Sequence, residues 1–166
     1  MRYKILLLGT FIPLEIIYSK IDIKPKVMIG KKITLVTEKN ADVKNIFEEW
    51  YRNYCLRFLK KRVDYYSKII NKKPIEIRVK NQKTIWGSCS SNDRLNFTWK
   101  VILLPISLLN YIVVHEMCHL VFLNHSKNFW DCLESVLPDY KIRENGVKKW
   151  EEKIWKLGDF IKYEER

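Results

Sequence analysis

The chain has 166 residues, 47% of them hydrophobic and 13% aromatic, with only five Gly and five Pro. That composition excludes a disordered, collagenous or linker-rich protein and allows one domain with a core of its own. The formal net charge of +12 admits nucleic acid or a membrane surface as a partner, but charge alone says little about fold or site.

Residues 1–40 are expected to form short β-strands. The opening Arg2, Lys4 and apolar run resemble the start of a signal peptide, yet no A-x-A cleavage site follows and Glu15 interrupts the run. Gly9-Thr10 reads as a turn between two strands. "KVMIGKKITLVT" reads as a hairpin, with Ile-Gly-Lys-Lys between two β-rich runs. Asn40 is a good N-cap for a long helix from Ala41 to about Ile70, assigned to a segment 41–72. Its apolar face begins with Val43, Ile46, Phe47, Trp50 and Tyr54, then continues with a phase shift through Leu56, Leu59, Val63, Tyr66 and Ile70.

Between Arg52 and Lys83 the sequence holds eleven basic residues and two acidic ones, Asp64 and Glu76. A nucleic-acid interface and a solvated helix face both fit this stretch. The excess is Lys rather than Arg, 23 against 8 over the chain, and Arg is the better bidentate reader of phosphates and bases. The solvated face is therefore preferred.

Residues 73–141 read as the catalytic core. "IEIRVK" alternates strictly, Ile75, Ile77 and Val79 against Glu76, Arg78 and Lys80, as a half-buried strand does. "KTIWGSCS" and "RLNFTWKV" flank "SNDR" and predict a hairpin over Thr84 to Trp99. A helix is expected from Pro105 or Ser107 to about Leu123, stopped by a left-handed Asn124. Ser126 can cap another helix, with Phe129, Trp130, Leu133, Val136 and Leu137 inward and Pro138 ending it. A last helix, from about Val147 within a segment 142–166, would bury Trp150, Ile154 and Leu157. Strands, helix, strands, then helices argue for an α+β fold in a single domain. The four Cys (55, 89, 118 and 132) form no CxxC pair, so they read as free thiols of a reducing compartment, the cytoplasm.

All three histidines of the chain, His115, His119 and His125, fall within eleven residues. From Val101 to Ser126 the one formally charged residue is Glu116, and a lone carboxylate in such a segment needs a reason. On a helix His115 and His119 stand about 40° apart and one turn apart along the axis, close enough for one metal to bind both at about 2.0–2.1 Å. Glu116 lies about 60° beyond His119, where its carboxylate reaches a water beside the metal rather than the metal itself. This is the HExxH arrangement of zinc hydrolases, and one Zn²⁺ is the expected cofactor. His125 is the favoured third ligand. Its spacing equals that of HExxHxxGxxH zincins, but Phe122 stands where those have Gly, so the turn must be built differently. Glu134 on the next helix is the alternative ligand. A closed structural metal site would add thiolates; Cys118 points away from Glu116 and reads as core. A membrane span is the remaining reading of the long apolar stretch, interrupted as it is by Pro105, Asn110 and Asn124.

The stretch from Gln82 to Lys141 resembles the YgjP-like metallopeptidase family, and more distantly the SprT-like zincins. The blocks WGSCS, YVVVHELCHL and NHSxxFW match Trp86 to Ser90, Tyr111 to Leu120 and Asn124 to Trp130, with Ile112 for Val and Met117 for Leu. The resemblance is tight over about residues 70 to 141. It implies a zincin-like fold, zinc at His115, His119 and His125, a catalytic Glu116, and a peptide or protein substrate. SprT-like relatives cleave proteins attached to DNA, so peptidase and nucleic-acid readings can hold together. The hairpin then becomes the candidate substrate edge, with Trp86, Ser88 and Cys89 lining the cleft; for Trp86 a core role fits equally well. Tyr111 would orient a ligand or pack in the core. Tyr140 and Arg143 are candidate oxyanion donors, and Glu134 or Asp131 would fix a histidine tautomer.

Overall fold

The computed structural model describes residues 2–156 and 160–164. The described residues form four α-helices and two sheets. The first has the order β3-β4-β2-β1-β8 and the second the order β5-β7-β6. The first is built from β1 (Arg2–Leu7), β2 (Thr10–Ser19), β3 (Lys26–Ile29), β4 (Ile33–Glu38) and β8 (Ile161–Glu164). The expected hairpins form: β1 pairs antiparallel with β2 and β3 with β4, while β2 and β4 run parallel. Leu8 and Gly9 make the first turn with φ of 48° and 81°, the two left-handed residues that a tight hairpin needs. The tip is docked as well as turned. Leu8 and Gly9 donate their N–H groups to the carbonyls of Ile102 and Leu103, and a Cβ on Gly9 would lie 2.7 Å from Pro105 Cγ. The N-terminal sheet thereby braces the segment that enters the functional helix.

Helix α1 (Val43–Ile70) starts two residues later than expected. Asp42, not Asn40, is the cap, its carboxylate accepting from the Asn45 N–H at 3.0 Å. The C-terminal end is Asn71 in the left-handed region. No phase shift breaks the buried stripe, which runs Phe47, Tyr51, Cys55, Leu59, Val63 and Tyr66. Tyr51 and Cys55, absent from the expected face, are fully buried. Successive i+4 steps rotate the stripe about 40° each, so the core follows a ridge that winds around the helix. The Tyr51 hydroxyl donates to the Leu6 carbonyl, joining α1 to the first sheet, and its ring stacks on Trp99.

The second sheet holds β5 (Glu76–Lys80), β6 (Gly87–Cys89) and β7 (Arg94–Thr98). The expected hairpin is β6–β7, antiparallel with Gly87 opposite Phe97 and Cys89 opposite Leu95; β5 adds in parallel to β7. Ile75, placed on the buried side by alternation, is 74% exposed because the strand begins only at Glu76. Trp99 leaves the strand pattern too and opens a buried 3-10 segment, Trp99–Leu103. That segment leads through Pro105 into α2 (Ile106–Cys118), followed by α3 (Lys127–Val136) and α4 (Tyr140–Lys156).

The C-terminal region departs from expectation at both ends. Helix α4 begins at Tyr140 rather than near Val147. Residues 161–164, assigned to a helix, form β8 and pair antiparallel with β1. Alternating Ile161 and Tyr163 suit a strand, and the exposed edge of β1 supplies the partner. Ile154 is buried as expected, Trp150 partly so, and Leu157 lies outside the described residues. Among the described residues no helix is long and apolar enough to cross a membrane.

Candidate metal centre

Helix α2 is an almost wholly buried rod. Leu109, Val113, Val114, Met117 and Cys118 are fully enclosed, and the same helix carries His115 and Glu116. It ends at His119, five residues earlier than the Asn124 stop that the sequence suggests. Asn124 and Phe122 are not among the residues with positive φ, so no left-handed cap is used. Instead Leu120 donates to the Met117 carbonyl, and Val121 and Phe122 both donate to that of Cys118. This tightened last turn is built without glycine, with Phe122 where the HExxHxxGxxH spacing has Gly.

The turn also orients an imidazole. His119 Nδ1 lies 3.0 Å from the Phe122 carbonyl oxygen; as the N–H tautomer it donates there and leaves Nε2 with a free lone pair. His125 returns over the helix end, so that its Nε2 lies 3.1 Å from His115 Nε2. One ligand atom from each of His115, His119 and His125 lies within 4.8 Å of the others. Two nitrogens on one tetrahedral zinc at 2.0–2.1 Å stand about 3.3 Å apart, so the observed approach fits a shared ion. The electrostatics fit as well. Burial, then the neighbouring His119 and His125, push the His115 pKa down to about 4, and burial lowers that of His119. Neutral imidazoles are the form that binds a metal.

Phe129 of α3 is the floor of this cluster. It is fully buried, and its ring centroid lies 5.0, 4.6 and 4.7 Å from those of His115, His119 and His125. Trp130 stacks on His125 at 5.6 Å and 25°. Sequence reasoning found both aromatics as parts of an amphipathic face and of the NHSxxFW block, without placing them against the histidines.

Glu116 is 8% exposed, and burial raises its pKa to about 7. One wall beside it is β6. A Cβ on Gly87 would lie 2.8 Å from Glu116 Cγ and 3.1 Å from Cδ and Oε1, so the strand and the carboxylate approach as closely as glycine allows. A glycine inside a strand pattern is the signal that announces such an approach.

The remaining candidates separate. Ser88 and Cys89 sit half-buried on β6, and burial, then the charge of Glu116, raises the Cys89 thiol to about 11. Trp86 is buried against Trp155, with ring centroids 5.0 Å apart, which is the core alternative. Tyr111 is buried with its ring 5.9 Å from that of His115. Glu134 is exposed on α3 and outside the histidine cluster. Asp131 pairs with Lys127 at 2.9 Å. Tyr140 is buried and stacks on Trp130. Arg143 donates to Asp139 Oδ1 and to the Ser107 carbonyl. In the basic stretch Lys68 and Lys73 pair with Asp64, Lys72 with Asp93 and Arg78 with Glu76.

Residues 2–149 match the profile of the family described as YgjP-like, metallopeptidase domain. The chain belongs to the YgjP-like metallopeptidase family. It is therefore a metal-dependent hydrolase acting on a peptide or protein substrate, and the family implies a divalent metal. No curated protein matches the chain. Among solved structures it is similar to the metallopeptidase zymogen abylysin of Pyrococcus abyssi, with 23% identity and a TM-score of 0.51 over 55% of this chain and 92% of that one. The zymogen jannalysin of Methanocaldococcus jannaschii gives 24% identity and a TM-score of 0.49 over 57% and 96%. The first likeness shows a shared α+β fold over that part of the chain. Nothing in the comparisons favours the nucleic-acid reading of this YgjP-like chain.

Proposed function

We propose that the chain hydrolyses peptide bonds with one zinc ion held by His115, His119 and His125, and with Glu116 as the catalytic base. The observation that carries this reading is the convergence of three imidazoles, one of them next in sequence to a buried carboxylate. The donor set is all imidazole, with the two cysteines nearest in sequence, Cys118 and Cys132, outside it, which suits a catalytic rather than a closed structural zinc site. A zinc ion there would supply Lewis acidity, acidifying water and polarising a carbonyl.

Glu116 would take the proton from the water that attacks the scissile carbonyl carbon, then pass it to the nitrogen of the leaving amine. Burial alone raises its pKa in the metal-free fold, and a cation bound beside it would favour the carboxylate, the form that accepts the proton. Strand β6 ends the order β5-β7-β6, so its outer edge would receive the extended substrate by strand addition, with Ser88 and Cys89 beside it.

Glu116→Gln keeps the size of the side chain and removes the base. We expect zinc stoichiometry to remain at one while peptide hydrolysis falls by about 10²–10⁴-fold. Hydrolysis at the parent rate in that variant removes Glu116 from the mechanism. A metal-free preparation that still cleaves removes the ion.

A further inference from the structure

We propose that Trp130 is a positioning residue for His125, holding both its backbone and its ring in the metal-facing orientation. The inference rests on the assignment of His125 as third ligand. The three histidines are not held alike. His115 and His119 stand on α2 and at its end, and His119 is further fixed by the Phe122 carbonyl. His125 lies in the connection between α2 and α3 and is exposed. A side chain so placed is free to rotate, and ordering it on binding costs conformational entropy.

Trp130 restricts it twice. The indole Nε1–H donates to the His125 carbonyl at 3.1 Å, closing the loop across five residues. The indole ring lies along the imidazole at 5.6 Å and 25°. Trp130 is itself packed, because Tyr140, which is buried, stacks on it at 5.6 Å and 24°. Phe129 meets the His125 ring edge-on at 4.7 Å. These contacts restrict the imidazole, and in the orientation they support Nε2 faces His115 Nε2 at 3.1 Å. Groups that orient a metal ligand in this way change metal affinity without touching the metal.

The test is zinc affinity of the full chain, read by competition with a chromophoric chelator, after metal-free unfolding has shown each variant to be folded. His125→Ala should weaken zinc by at least about a hundredfold. Trp130→Leu should weaken it by about 10–100-fold. Trp130→Phe keeps a ring but loses the N–H, and should cost about three- to tenfold; it also serves if Trp130→Leu does not fold. In the His125→Ala background either Trp130 substitution should change nothing, to within about twofold. A Trp130 variant with parental affinity, beside a weakened His125→Ala, overturns the positioning role and leaves the ligand assignment standing. An equal loss in both backgrounds also overturns it, because the indole would then act on the fold at large. Parental affinity in His125→Ala overturns the ligand assignment and this inference with it.

Discussion

Helix α2 and the connection after it contribute to one site by opposite means. In α2 the backbone does the placing: His115 and Glu116 are held by a rod most of whose other side chains, from Leu108 onward, are enclosed in the core. From Val121 to Ser126 the chain is mostly exposed, Leu123 to 82%, and it holds its place through side-chain contacts from α3. A helix transmits position through hydrogen bonds that every residue shares. A loop has no such repeat, so its geometry depends on particular partners. The comparison teaches that damage to the site should differ in kind between the two regions.

The sharpest way to break that contrast is Phe129→Ala, because this ring touches histidines from both regions. We expect a loss of about 3–5 kcal/mol in the denaturant unfolding of the metal-free chain, as for other fully buried aromatics. A loss below about 1 kcal/mol would mean that the helix end and the connection keep their places without a shared floor.

The next effect concerns α2 and pH. In the metal-free fold the His115 pKa is lowered from 6.5 to about 4. The unfolded chain then binds more protons than the folded one, so this group adds stability as pH rises through that window. Glu116 is raised from 4.5 to about 7, so its contribution is present at low pH and lost as pH rises. The two slopes oppose each other between about pH 4.5 and 6.5. Glu116→Gln removes one of them. Its metal-free form should gain on the order of 2–3 kcal/mol from pH 4 to pH 6.5, relative to the parent's own change. Parallel stability curves for the two proteins would refute this opposition.

A smaller effect tests the wall beside Glu116. Gly87→Ala should cost about 1–3 kcal/mol through the crowded Cβ. That cost should vanish in a Glu116→Ala background, where the crowding atoms are gone. An equal cost in both backgrounds would show that the strand, not the carboxylate, resists the methyl group. The smallest effect belongs to the exposed connection: Leu123→Ser should alter stability by no more than about 0.5 kcal/mol in the same unfolding measurement. A larger loss would make this connection behave like the helix.

Much of the fold was legible from local pattern. Both early hairpins, the long α1, the β6–β7 hairpin and the amphipathic α3 follow from alternation, helical spacing and turn residues. The misses share a cause. Asp42 rather than Asn40 caps α1 because both residue types compete within one turn, and backbone geometry chooses. The stop of α2 at His119 uses carbonyls inside the helix, with no Gly or left-handed Asn to mark it. Strand β8 forms because β1 offers an edge more than 150 residues away in sequence, and no local signal reports a distant partner.

By itself the sequence determined that His115 and His119 share a helix face with Glu116 beside them, because four residues make about one turn wherever a helix forms. The same applies to the enclosure of that helix, which is written in its mostly apolar neighbours. Only the tertiary structure decided that His125, rather than Glu134, comes back to His115, that Phe129 lies under all three imidazoles, and that Gly87 presses on Glu116. Those contacts join different elements, and their geometry comes from how the elements pack, which no spacing along the chain encodes.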